Sequence, residues 1–392
     1  MALQKVVNVC LFVLTMAVGT LGSGHHFDVT EYSASPKGSF DSNKMAFLDA
    51  WQAMCGFNGN ATLIVPTGTF QVAPLIFAGP CKPGQHKLKF LGTLVAPSDW
   101  DKEHEAWIEF RELNDIVIEG GGVLDGQGAN AWSQKKKNMP ISVHFMKVNK
   151  GRITNLSIKD SKGFHIAIHQ SDNVVIRAIT ITAPFDSPNT DGIHISGSSH
   201  VRITGLTIGT GDDCVSIGPG SYNITVANVH CGPGHGISIG SLGKYQDEDN
   251  VAHIKVKNCT IAGTTNGLRI KTWPGSTASE AFNITFENIK LDNVSRPIII
   301  DQDYCPNNQC NPNEPSRVKL YDIIFKHIQG TSNTQDAVTL KCSKLVPCRD
   351  VRLIDINLKP LFSSLVHSID SFCSNVLGLA LGIQKPNPCL QH

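Results

Sequence analysis

A short motif, apolar-x-x-apolar-x-apolar, recurs along most of this chain and sets the terms for its fold. Clear copies are Ile153-x-x-Leu156-x-Ile158, Ile176-x-x-Ile179-x-Ile181, Ile203-x-x-Leu206-x-Ile208, Val256-x-x-Cys259-x-Ile261 and Phe286-x-x-Ile289-x-Leu291. Weaker copies begin at Ile118, Val226, Phe325 and Leu353, so successive starts lie 35, 23, 27, 23, 30, 30, 39 and 28 residues apart. Each copy holds a short alternating run, the pattern of a half-buried strand. Units that repeat every ~20–50 residues stack into solenoids, because one unit cannot bury its own apolar face. These units are rich in Ile, Val and Thr and punctuated by Gly and Asn, with almost no helical periodicity between them. The repeat therefore predicts an all-β fold, a single-stranded right-handed parallel β-helix. Leucine-rich repeats would need a stricter leucine frame, and propellers about four strands per unit.

The 392 residues are 41% hydrophobic, enough for a large core. The repeat runs without a linker from about residue 115 to 360, which favours one elongated domain over two or three. A formal net charge of +1 gives no long-range field toward nucleic acid or an anionic membrane, so an anionic substrate must be recognised locally. Residues 1–24 read as a signal peptide: Lys5, an apolar run from Val6 to Val18, then small residues from Gly19 to Gly24. The apolar run is short of the roughly 20 residues that span a bilayer. The expected mature chain, 25–392, is a secreted monomer without a membrane anchor.

Secretion makes the cysteines disulfide candidates. Cys10 leaves with the signal and eleven cysteines remain. The local pairs expected are Cys55–Cys81, Cys214–Cys231, Cys305–Cys310, Cys342–Cys348 and Cys373–Cys389, which would leave Cys259 over, although sequence alone does not prove the pairing. Cys259 sits at an apolar position of the repeat, where a free thiol behaves as a small hydrophobe. Six sequons, at Asn60, Asn155, Asn223, Asn258, Asn283 and Asn293, are glycan candidates, and several fit equally as turn or stacking asparagines. Before the repeats, Met45 to Cys55 reads as an amphipathic helix that caps the open end of the solenoid. The Cys-rich segment 361–392 is expected to close the other end, and Pro386 and Pro388 argue against a long final helix.

Four charged clusters recur about once per repeat: Asn189-Thr190-Asp191-Gly192, Gly211-Asp212-Asp213-Cys214, Gly234-His235-Gly236 and Arg269-Ile270-Lys271. Parallel strands lie about 4.8 Å apart, so equivalent positions on neighbouring coils stack. Asp191, the Asp212-Asp213 pair and His235 would come from three successive layers. Arg269 and Lys271 would face one way while Ile270 faces the core. A turn or bulge after Gly209-Thr210-Gly211 would aim both adjacent aspartates outward. Crowded carboxylates are costly unless they share protons, bind a cation or do chemistry. One acid facing carboxylates that activate water is the equipment of inverting glycoside hydrolysis. Arg269 and Lys271 suit the carboxylate of an acidic sugar. Each motif alone also fits a turn or a polar ladder; all four aligned fit chemistry better. Three aspartates could instead hold Ca²⁺ for a lyase, but His235 is a poor Ca²⁺ ligand and two cations stand nearby.

At these residues the chain resembles the polygalacturonases, glycoside hydrolase family 28. The third segment continues as Ile237-Ser238-Ile239-Gly240-Ser241-Leu242-Gly243, similar to plant members. The run from Pro184 to His194 most resembles the exo-acting pollen group. The resemblance implies hydrolysis of α-1,4 bonds between galacturonic acid units with inversion, outside the cell at the cell wall, on polygalacturonic acid or de-esterified pectin. It implies Asp212 as general acid, Asp191 and Asp213 as activators of the water, His235 as support for the acid, and Arg269 and Lys271 as ligands of substrate carboxylates. Asn189 would line the same subsite as Asp191, and Tyr304 matches a tyrosine of the cleft. No metal or other cofactor is implied. One segment departs from the family pattern. Where plant members carry tyrosine-glycine-alanine, this chain reads Tyr32-Ser33-Ala34, which implies altered folding or stability at the first coil. An endo-acting enzyme and a non-catalytic pectin-binding solenoid are the rival expectations.

Overall fold

The computed structural model describes residues 24–390 except 101–102, 135–138, 312 and 362–367. All but the last residue of the leader read at 1–24 lies outside the described residues. The chain winds as a right-handed parallel β-helix. A 16-stranded sheet and an 11-stranded sheet, both parallel throughout, face each other across the core. All nine motif starts fall in one register column: Ile118, Ile153, Ile176, Ile203, Val226, Val256, Phe286, Phe325 and Leu353 stack partner on partner. Each of them is at most 1% exposed. Full burial of such a side chain stabilises by about 1.5–3 kcal/mol relative to exposure, so this column alone is a large part of the core. Opposite it, Ile195, Ile217, Ile239, Ile270, Ile300 and Leu340 stack on the second sheet.

The motif hides a bend that sequence alone does not display. Its third position is a left-handed residue: Asn155, Ala178, Asn228, Asn258, Asn288, His327 and Asp355 all have φ between 50° and 57°, and Gly205 has φ 67°. The strand therefore turns a corner there and restarts its alternation. In the first coils the two halves are separate strands. Ile116–Glu119 and Val123–Asp125 both pair with the single strand Arg152–Lys159. Asn tolerates this conformation better than most residues, and the Asn288 amide also donates to the Asn258 side chain at 3.2 Å. Five of the six sequon asparagines, all except Asn60, hold left-handed backbone, Asn155 and Asn258 at this bend, and all six are exposed.

The N-terminal helix runs Phe40–Cys55, five residues longer than its periodicity predicts, because Ser39 caps it by accepting from the Ser42 amide. It buries Ala46, Phe47, Ala50, Trp51 and Met54 against the first coil. In the atypical segment before it, Ser33 takes φ 77° where a glycine would be unstrained. Buried Asn43 then holds the segment, accepting from the Ser35 amide and donating to the Ser35 and Gln71 carbonyls. At the other end, Asp370–Ser374 and Val376–Lys385 add one more strand to each sheet. The five expected disulfides are formed, and Cys259 is free and buried. Burial pushes its thiol up to about 11, which leaves no thiolate for chemistry at neutral pH. No helix among the described residues is long and apolar enough to cross a membrane.

Candidate active site

The second sheet builds the site. Ile193–Ser196, Val215–Ile217, Ile237–Leu242 and Asn266–Thr272 are consecutive strands in which Ile193, Val215, Ile237 and Leu268 are aligned. Two residues before each aligned position lie Asp191, Asp213, His235 and Asn266, so the first three stack as expected. The turns that enter these strands are tight. A Cβ on Gly211 would lie 2.0 Å from the Ser187 carbonyl, so only glycine lets the two turns approach. Thr190 accepts from the Gly211 amide and Ser187 bonds Thr190, which joins the Asp191 turn to the Asp212 turn. Immediately after Asp213, the Cys214–Cys231 disulfide anchors the chain to the larger sheet.

Asp212 and Asp213 do point to one side, and carboxylate and imidazole atoms of Asp212, Asp213 and His235 lie within 4.8 Å of one another. Their environments differ. The Asp212 side chain is part-exposed; one oxygen accepts from the Asp213 amide at 2.8 Å and lies 2.9 Å from His235 Nδ1. Asp213 is 1% exposed. Ser238 Oγ and Arg269 donate to its Oδ1 at 2.7 and 2.8 Å, and Lys271 donates to its Oδ2 at 2.8 Å. Burial alone would raise its pKa, but Lys271 and Arg269 overcome that and hold it at about 2. Asp191 is also buried, and Ser216 donates to its Oδ2 at 2.7 Å. Burial first, then Asp212 and Asp213, push its carboxyl well above the ordinary range.

Arg269 and Lys271 do share one side of their strand, with Ile270 in the core, and both are nearly buried against Asp213. Tyr304 covers the pair, its ring 5.9 Å from the Arg269 guanidinium and 5.2 Å from Lys271 Nζ. Asn189 is exposed on the turn before Asp191, with φ 55°. The group Asp212, Asp213 and His235 is a poor fit for a divalent cation. Both Asp213 oxygens are taken by cations, and His235 Nδ1 faces Asp212.

Three contributors escaped the sequence reading. Ser216 and Ser238 bond the buried aspartates, and His165 holds the Asp191 backbone, its amide and Nδ1 both meeting the Asp191 carbonyl. The serines had a usable signal. Aligning the triplets Ile193-His194-Ile195, Val215-Ser216-Ile217, Ile237-Ser238-Ile239 and Leu268-Arg269-Ile270 puts His194, Ser216, Ser238 and Arg269 in one outward column.

Residues 55–377 match the family model described as Glycosyl hydrolases family 28. An exopolygalacturonase of Zea mays is 43% identical over 378 residues, covering 94% of this chain and 91% of its own. An exopolygalacturonase of Platanus acerifolia is 40% identical over 376 residues, covering 94% and 98%. Among solved structures, the exopolygalacturonase of Thermotoga maritima superposes with a TM-score of 0.72 at 20% identity, over 85% of this chain and 88% of that one. The endo-xylogalacturonan hydrolase of Aspergillus tubingensis gives 0.75 at 23% identity, over 91% and 98%. At those identities the structures speak for the fold alone.

Proposed function

The chain belongs to glycosyl hydrolases family 28, and we propose that it is a secreted exo-acting polygalacturonase that removes galacturonate from polygalacturonan or de-esterified pectin with inversion. The observation that carries the reading is the stack of Asp191, Asp213 and His235 with part-exposed Asp212 at its edge. Asp212 is the proton donor to the glycosidic oxygen. It has access to the cleft and a histidine to hold it. Asp191 and Asp213 surround the water. Arg269 and Lys271, under Tyr304, supply the positive field that favours an anionic sugar, with Asn189 at the rim of the same subsite. The signal peptide 1–24 is removed, and 25–392 works as one catalytic domain at the cell wall, as a monomer.

Exo action is supported by the names of the plant relatives. Product sizing on polygalacturonic acid tests the proposal. Monomer alone is expected. Mixed oligomers would make the enzyme endo-acting, and no product would leave a pectin-binding solenoid or another substrate.

One observation favours a second assignment within the same reaction. The raised proton affinity of Asp191 would suit a donor. An aryl galacturonoside with a good leaving group separates the two. Asp212→Asn should fall by about 10²–10⁴-fold on polymer and recover on the aryl substrate, which needs no acid. Recovery by Asp191→Asn instead would exchange the roles.

A further inference from the structure

The outward column His194–Ser216–Ser238–Arg269 gives the two buried aspartates the same kind of partner and a different third member. Ser216 Oγ donates to Asp191 and Ser238 Oγ donates to Asp213, each at 2.7 Å. A serine hydroxyl has one proton. Once that proton is given to a carboxylate, the oxygen can only accept from the third residue. On Ser238 the third residue is Arg269, whose Nε donates at 3.0 Å. On Ser216 it is His194, with Nδ1 2.8 Å from Oγ. The geometry therefore puts a proton on His194 Nδ1. The ring is neutral, because burial first, then His169 and Lys271, push its pKa down to about 3. Phe164 packs 4.9 Å from the imidazole and His169 lies 5.6 Å away, which fixes the ring plane.

The two carboxylates end up differently equipped. Ser238, Arg269 and Lys271 occupy both oxygens of Asp213. Asp191 takes Ser216 on Oδ2, and its Oδ1 has no protein hydrogen bond among the described residues. We infer that His194 is a positioning residue for the reaction: through Ser216 it pins one oxygen of Asp191 and leaves Oδ1 as the oxygen that takes the proton of the attacking water. The inference rests on the reading of Asp191 as a water-activating carboxylate. In that step the water oxygen bonds to the anomeric carbon and its proton passes to Oδ1. The bond from that carbon to the glycosidic oxygen breaks, its electron pair stays on oxygen, and oxygen takes the proton of Asp212. Asp191 ends protonated and Asp212 ionised, and exchange with solvent resets both.

The groups that face Asp191 fix the sign of the pH effect. Asp212 and Asp213 come from the next layer and raise its proton affinity; Ser216 and the more distant Lys271 lower it. His165, from the layer before, meets the Asp191 carbonyl and not the carboxylate. Losing the Ser216 bond therefore lets Asp191 hold its proton to higher pH, and the acid limb of kcat/KM moves up.

The experiment measures pH–rate profiles on polygalacturonate for His194→Leu, Ser216→Ala, the double variant and His194→Asn. Each of the first two should lower kcat roughly tenfold and move the acid limb up by about one unit. The double variant should be no worse than Ser216→Ala alone, because the two residues act in series. His194→Asn keeps a donor and should recover most of the loss. Additive losses, or a uniform fall with the limb unmoved, would overturn the relay. The reading beneath it fails separately. If Asp191→Asn is restored by the aryl galacturonoside, Asp191 is the proton donor and takes no proton from water.

Discussion

The layers at Asp191 and Asp213 are one strand apart, and the backbone treats them alike. Each aspartate lies two residues before an aligned core position, and each accepts from a serine on the following strand. Their chemistry is opposite. Asp213 sits in a cage of two cations and is ionised down to about pH 2, whereas Asp191 faces two carboxylates from a buried position and keeps its proton to higher pH than an ordinary carboxyl. A solenoid repeats the position but not the field. What each layer can do is decided by the side chain one or two coils away.

The largest expected effect breaks the comparison through stability. Asp213→Asn leaves Arg269 and Lys271 buried without their shared counterion, and removing one partner of such a group costs about 3–5 kcal/mol. Asp191→Asn replaces a carboxyl whose ionised form is unfavourable in this site with a neutral group, and near neutral pH should leave stability unchanged or raise it. Denaturant unfolding near neutral pH compares them. Equal losses would mean that the two layers are not electrostatically distinct.

Lys271→Met and Arg269→Leu come next. Each leaves Asp213 with one cation and should cost about 1.5–3 kcal/mol, the worth of a hydrogen bond to a charged group. Each should also weaken binding of de-esterified polymer more than of fully methyl-esterified pectin. A stability loss with affinity lowered equally for both polymers would confine the pair to holding Asp213.

The pH dependence of unfolding sharpens the same contrast. Asp213 is held below its unfolded value of about 3.9, so its contribution is complete above that pH and fades as pH falls toward 2. That limb is worth on the order of 2 kcal/mol. Asp191 is raised, so its contribution is complete below about pH 4 and is lost as pH rises. Asp213→Asn should flatten the acid side of the stability curve, and Asp191→Asn the side above it. The reverse assignment of limbs would exchange the two environments.

The smallest effects lie away from both layers and serve as controls. Ser33 and Ala178 hold left-handed backbone, φ 77° and 51°, without a glycine's freedom. Ser33→Gly and Ala178→Gly should each raise stability by about 1 kcal/mol in thermal unfolding, with the pH–rate profile unchanged. A shifted profile would show that the site senses the coil geometry and not only its own column.

Much of this molecule was legible before folding. The nine motif starts form one stack because a strand's inward positions must align when each coil rests on the last. The four charged clusters converge for the same reason. The bend inside the motif was not legible, since Asn155, Ala178, Gly205 and His327 share a conformation and no chemistry. Nor was the pairing of Arg269 and Lys271 with Asp213. Strand periodicity gives the side a residue faces, while its partner depends on which buried charge is closest. Ser216 and Ser238 were hidden by being ordinary residues, distinguished only by what stands above and below them.

The sequon asparagines and the site fall on different sheets. Asn155, Asn223, Asn258, Asn283 and Asn293 all lie in strands of the larger sheet, and Asn60 adjoins one, while the carboxylates belong to the second. Whatever is attached at these asparagines, an oligosaccharide, a dye or a tether to a solid support, joins the larger sheet and not the four strands that build the site. Asn155 and Asn258, exposed at the corner bends of the repeat, are therefore the positions to choose when the protein is to be anchored.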